Sequence, residues 1–258
     1  MHSLDRPWLR RLRRAEHTCL SLVCFPYAGG GIGAYSSWIQ ELSSRIEVWF
    51  ADLPGRGGRI LESPAAAFPE IVASVSRAIG QSLDGEFVFF GHSLGALLSF
   101  EVARHLRARG KTLPVHLLVS AAQAPQIPWK YPETYNLPED EFLRELNRRY
   151  QGIPQAIAAE PEVLRLLLPA LRADVELVET YRYTGDAPLP CPITAFGGSA
   201  DTMVSREALA AWRLQTAAGF RLGILPGNHF LLQTARARLL EEVRIELEGI
   251  LQATTVTS

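Results

Sequence analysis

Apolar residues fall in short, dense runs along this chain, with polar stretches between them. Runs at 20–25, 48–52, 87–90, 115–120, 193–197 and 220–225 are four to six residues long, and several are apolar at almost every position. A strand apolar on both faces must be covered on both faces, as in a parallel sheet packed between helices. Between the runs the period changes. Residues 68–83 place Ile71, Val72, Val75 and Ile79 on one helical stripe, and further helical patterns cover 94–108 and 235–251. Alternating strands and helices predict an α/β architecture with a mostly parallel central sheet and helices on both faces. No internal repeat or low-complexity tract interrupts it. The chain, 1–258, reads as one domain.

One segment breaks the rhythm. From 121 to 190 the pattern predicts no strand, and a structureless connection of that length would be exceptional. Pro138 followed by Glu139, Asp140 and Glu141 is a helix start, with proline and acids in the first turn. Phe142, Leu143, Leu146 and Tyr150 continue it as a stripe. A second helical pattern spans 162–183 and contains Pro169, which should kink or split it. We read about 125–184 as a helical lid inserted over the sheet edge. Its apolar excess beyond a single stripe predicts a mobile cover, with Leu166, Leu167 and Val178 as candidates to line an acyl channel.

Composition narrows the setting. The net charge of −1 gives no global field for nucleic acid or an anionic membrane. No stretch approaches the roughly 18 uninterrupted apolar residues of a membrane-spanning helix. The first fourteen residues carry five arginines but lack the apolar run of a secretory signal, so they read as a solvated leader tied down by Trp8. Cys19 and Cys24 share one apparent strand at an odd separation, which points them to opposite faces. Cys191 stands alone, and no zinc-ligand spacing is present. Reduced cysteines and a cytoplasmic location are expected, with no metal and no bound cofactor. A monomer is expected as well.

The chemistry centres on residues 91–95, Gly-His-Ser-Leu-Gly, which follow the run at 87–90 and open the helical pattern at 94–108. In G-x-S-x-G the serine occupies a sharp strand-to-helix turn, and the glycines remove side chains that would collide there. Ser93 is therefore the candidate nucleophile. It needs a base and an orienting acid, in the chain order Ser, Asp or Glu, His. His2, His17, His92, His105 and His116 come too early or sit inside predicted elements, and His92 reads as structural. His229 follows the last predicted strand and is the candidate base. Asp201 lies just past the run at 193–197 on a Gly/Ser-rich turn and is favoured as the acid over Asp174, in the insertion, and Asp186, which precedes its strand. Asp201 could also cap the helix that follows. Leu94, the residue after the nucleophile, and Ala28, on the Gly-rich loop after 20–25, are candidate oxyanion donors through their backbone N–H groups. A phosphate-cradling role for that loop lacks both the Walker lysine and a suitably placed acid.

The ordered set FPYAGG (25–30), DLPGRGGR (52–59), GHSLGA (91–96), GGSAD (197–201) and GNHF (227–230) resembles the type II thioesterases of nonribosomal peptide and polyketide synthases, over nearly the whole chain. The resemblance implies an α/β-hydrolase fold with a helical lid. It also implies hydrolysis of acyl thioesters on the phosphopantetheine arm of a carrier protein, an editing role in which the phosphopantetheine belongs to the partner. Ser93, Asp201 and His229 match the triad positions, and Ala28 and Leu94 the oxyanion donors. Leu94 stands where a methionine is common, and Asn228 where glycine is frequent. The resemblance also implies a carrier-protein partner of a kind commonly acidic around the serine that bears the arm. Arg56 and Arg59 follow a predicted strand, and Arg59 is the expected outward contact, whereas Arg56 could equally clasp its own loop. A freestanding esterase or acyltransferase would use the same residues. An inactive binding module would have no need of all three.

Overall fold

The computed structural model describes residues 7–15, 20–65, 67–150 and 161–256. Cys19, and with it the reading of Cys19 and Cys24 as opposed, lies outside them, as do His2, His17 and the first six residues of the leader. Seven strands form one sheet in the spatial order β1-β3-β2-β4-β5-β6-β7: β1 (Leu9–Arg13), β2 (Leu20–Phe25), β3 (Ile46–Ala51), β4 (Phe87–His92), β5 (His116–Ser120), β6 (Ile193–Gly198) and β7 (Phe220–Leu225). All neighbours pair in parallel except β1, which runs antiparallel to β3. The α/β-hydrolase expectation therefore holds, with every predicted strand in place.

Period-two alternation divides the strand side chains between two covers. Val23, Phe25, Phe89, Leu117 and Val119 meet one face, which α1 (Phe68–Ser82) and α2 (Leu94–Ala108) cover through Ile71, Val75, Leu98 and Val102. Leu22, Cys24, Val88, Phe90 and Leu118 face the other way, onto Trp38 and the terminal helix. The two short helices α5 (Arg206–Ala210) and α6 (Leu231–Thr234) precede that helix, α7 (Arg236–Val256). Its stripe of Leu239, Leu240, Val243, Leu247 and Leu251 closes the second layer. Burial pushes the Cys24 thiol up from its ordinary value and that of Cys191 to about 11, so both behave as small apolar groups.

The leader is corrected by β1. Leu9 belongs to one face of the core and Leu12 packs against the other, and the register shifts between Arg11 and Arg13. This irregularity, in an edge strand otherwise made of arginine, hid the alternation. The arginines of β1 itself are not free charges either. Arg10 pairs with Asp52 at 2.6 Å, and Arg13 donates to the carbonyls of Ser43 and Ile46, both at 2.6 Å.

In the insertion, α3 (Glu139–Tyr150) starts at the acidic turn, as expected. The second helix, α4 (Pro161–Thr180), runs through Pro169 without splitting and ends before residue 183. Packing of Leu168, Ala170 and Leu171 on either side of the proline offsets its missing hydrogen bond. Two buried carboxylates anchor this helix. Asp174 pairs with Arg56. Glu179 accepts from the Thr134 amide at 2.6 Å, the Tyr135 amide at 3.1 Å, the Thr134 hydroxyl at 2.7 Å and Arg149 at 3.1 Å. Glu179→Ala would remove the buried countercharge of Arg149 and leave two backbone donors without their acceptor, at a cost of about 3–5 kcal/mol. Native-state hydrogen exchange should then speed up across residues 131–150 much more than in β4 and β5. A uniform change would show that Glu179 does not hold the insertion separately from the sheet.

Candidate active site

Six parallel strands end at the same edge of the sheet, and the loops leaving β2, β4, β6 and β7 bring the chemistry together there. At the end of β4 the chain turns sharply into α2. Ser93 sits at that turn with φ 55° and ψ −117°, a conformation L-residues rarely adopt. Its amide is held by the Ser120 carbonyl at 2.8 Å. Both flanking glycines are sterically required. A Cβ on Gly91 would lie 2.2 Å from the Gly95 carbonyl oxygen, and one on Gly95 would lie 2.3 Å from that of Phe25.

His229 is 4% exposed, and its Nε2 lies 3.1 Å from Ser93 Oγ. Its Nδ1 lies 2.9 Å from Asp201 Oδ2. The other carboxylate oxygen, Asp201 Oδ1, accepts from the Met203 amide at 2.8 Å and the Val204 amide at 3.2 Å. With Nδ1–H donated to the carboxylate, Nε2 carries the lone pair that faces the serine hydroxyl, so the arrangement can draw the Ser93 proton onto the imidazole. Asn228 secures the approach to the histidine, its Oδ1 accepting from the Phe230 amide at 2.9 Å. An Asx turn thus does what glycine would otherwise permit.

His92 is fully buried, with Nδ1 3.0 Å from Ser120 Oγ. Burial first, and then the neighbouring His229, holds its pKa well below the ordinary value, so it stays a neutral packing group. Asp186 lies on the outer surface and pairs with Arg107 at 2.5 Å. Among the described residues, no cluster of three or more His, Cys, Asp or Glu could hold a metal ion, and no helix is long and apolar enough to cross a membrane.

The oxyanion candidates occupy suitable elements. Leu94 is the first residue of α2, so its N–H precedes any carbonyl partner within the helix. On the loop after β2, the Gly29 amide is given to Asp174 at 2.7 Å and the Gly30 amide to the Tyr27 carbonyl at 2.8 Å. Two of the loop amides are thereby committed, and Ala28 remains the candidate loop donor.

A cavity of about 440 Å³ opens onto Ser93 and His229. The insertion supplies much of its wall, including Trp129, Tyr150, Val178 and Tyr183. Sequence reasoning assigned no role to Tyr150 beyond its stripe, yet its ring lies 4.8 Å from the His229 ring, centroid to centroid. Its position at the end of α3 carried no local signal for that contact. Leu166 is corrected: it is 55% exposed, and neither it nor Leu167 lines the cavity, whereas Val178 does. Arg59 is corrected too. Expected to reach outward, it is 5% exposed, donates to the Asp52 carbonyl at 2.6 Å and to Glu62, and stacks over Trp8 at 4.6 Å. Its planar fork is used up on its own loop and on the leader, so it does not form a docking contact. Arg56 is likewise internal, but it clasps the insertion as well as its own loop.

Residues 21–246 match the thioesterase domain family. The chain is 41% identical to the gramicidin S biosynthesis protein GrsT of Aneurinibacillus migulanus, with 90% of each protein covered. Among solved structures it is similar to RedJ, a thioesterase from the prodiginine pathway in Streptomyces coelicolor, at 37% identity and a TM-score of 0.83, covering 91% of this chain and 90% of that one. It is also similar to BorB, the type II thioesterase of the borrelidin biosynthetic cluster, at 32% identity and a TM-score of 0.83, over 96% and 98% of the two chains.

Proposed function

The chain belongs to the thioesterase family, and from that premise we propose that it hydrolyses acyl thioesters held on the phosphopantetheine arm of a carrier protein, as an editing enzyme of nonribosomal peptide or polyketide biosynthesis. The observation that carries the reading is the continuous relay from Ser93 through His229 to Asp201, whose first two members line a largely apolar cavity with aromatic walls.

In the proposed mechanism His229 Nε2 takes the Ser93 hydroxyl proton as Oγ attacks the thioester carbonyl. The Ala28 and Leu94 amides receive the oxyanion. The carbon–sulfur bond breaks, the thiolate takes the proton from His229, and the acyl group remains on Ser93. Water then repeats the sequence, with His229 as base, and the free acid leaves. Asp201 stays ionised throughout; it fixes the tautomer and stabilises the imidazolium. These steps use no metal or bound cofactor, and the phosphopantetheine arrives with the partner. The helical insertion serves as the lid, excluding bulk water from the acyl-enzyme and contacting the acyl chain through Val178, Trp129 and Tyr183.

The test is kcat/KM for one acyl group presented on a carrier protein and on a small pantetheine thiol, at low and high ionic strength. Contacts remote from the reacting carbon should raise kcat/KM for the carrier-bound substrate by about tenfold or more. A charged docking rim would make that advantage fall with salt. Equal efficiency on the two substrates would favour a freestanding esterase that uses the same residues.

A further inference from the structure

Asp174 binds two separate loops at once, and its side chain is 2% exposed. Its Oδ2 accepts from the Gly29 amide at 2.7 Å and from Arg56 Nη1 at 2.5 Å, and its Oδ1 accepts from Arg56 Nη2 at 2.8 Å. Gly29 has φ +71°, and a Cβ there would lie 2.9 Å from Leu171 Cδ1, so the loop after β2 rests directly on α4. Leu171 and Asp174 are one helical turn apart on the same face. Ala28 packs into the same small apolar cluster as Leu168, Leu171 and Val175. A buried ion pair is seldom more stabilising than an apolar pair of the same volume, so stability alone gives little reason for a carboxylate here. What the carboxylate adds is a fixed acceptor for one particular amide, next to the proposed oxyanion donor.

We infer that Asp174 is a positioning residue: carried by the insertion and charge-paired with Arg56, it holds the Gly29 amide so that the neighbouring Ala28 N–H keeps its oxyanion geometry. Seating of α4 and readiness of the oxyanion loop are thereby one event. The inference rests on the thioesterase mechanism proposed above.

Two double variants separate positioning from packing. Arg56→Met with Asp174→Leu, and Arg56→Met with Asp174→Asn, both remove the two charges together, so neither strands a buried ion. Only asparagine leaves an oxygen that can accept from Gly29. Turnover of an acyl thioester is measured per active site titrated to completion with a fluorophosphonate, which leaves misfolded molecules out of kcat. The leucine variant should lose about ten- to hundredfold in kcat, with KM within about threefold of the parent, because the loss falls on the transition state. The asparagine variant should recover most of it. Equal kcat in the two variants, whether both match the parent or both are depressed, would overturn the inference. Should the leucine variant not fold, Gly29 amide exchange in the unsubstituted protein decides: protection matching the central strands is expected, and exchange at the rate of a solvated loop overturns it. Ser93→Ala in the parent background keeps the two levels apart. If Ser93→Ala still turns over, the mechanism fails; if turnover depends on Ser93 and the double variants are equal, only the role of Asp174 fails.

Discussion

Ser93→Ala should lower thioester hydrolysis on the order of 10⁴–10⁶-fold, leave the melting temperature close to that of the parent and abolish labelling by a fluorophosphonate. The expectation follows from what alanine keeps and removes. The Cβ already present at φ 55° is retained, so the strained turn between β4 and α2 is no worse off. The Oγ removed makes its described hydrogen bond only to His229, at 3.1 Å. Residual rate should come from the oxyanion donors and from substrate binding. Hydrolysis at the parental rate by a folded Ser93→Ala protein would remove the serine mechanism altogether.

The second large effect is expected from Asp201→Asn, on the order of 10³–10⁴-fold in kcat. The structure makes the reason unusually specific. Asp201 Oδ1 is pinned by the Met203 and Val204 amides. In the amide variant the remaining carbonyl oxygen must stay with those donors, which turns the NH₂ group toward His229 Nδ1. The imidazole is then driven to carry its proton on Nε2, where it opposes the Ser93 hydroxyl instead of accepting from it. Asp186→Asn, on the outer surface, should change kcat little. Asp174→Asn should fall between the two, since its oxygen can still serve Gly29 while Arg56 loses its countercharge. A kcat in Asp201→Asn as little changed as that in Asp186→Asn would overturn the assignment of the acid.

The sequence by itself determined the sheet and the order of the reactive groups. Apolar runs buried on both faces can only be strands covered twice, and in a parallel sheet their C-terminal ends meet at one edge, so Ser93, Asp201 and His229 are brought near each other by topology before any contact is known. The G-x-S-x-G turn is legible for the same reason: Gly91 and Gly95 answer a backbone collision within a few residues of the serine. Tertiary structure alone decided the rest, because the forces concerned act between segments far apart in the chain. A register shift broke the period of β1 and concealed it. Arginines that look free in sequence, Arg56 and Arg59, are consumed internally, since burial requires a guanidinium to find acceptors wherever the fold offers them, here on Asp174, Asp52 and Glu62. Helical periodicity cannot tell a residue facing the cavity from one facing solvent on a broadly apolar helix, so Leu166 and Val178 read alike until α4 was seated. What seats it is Asp174 and Glu179, whose partners lie 30 to 145 residues away along the chain, beyond the reach of any local pattern.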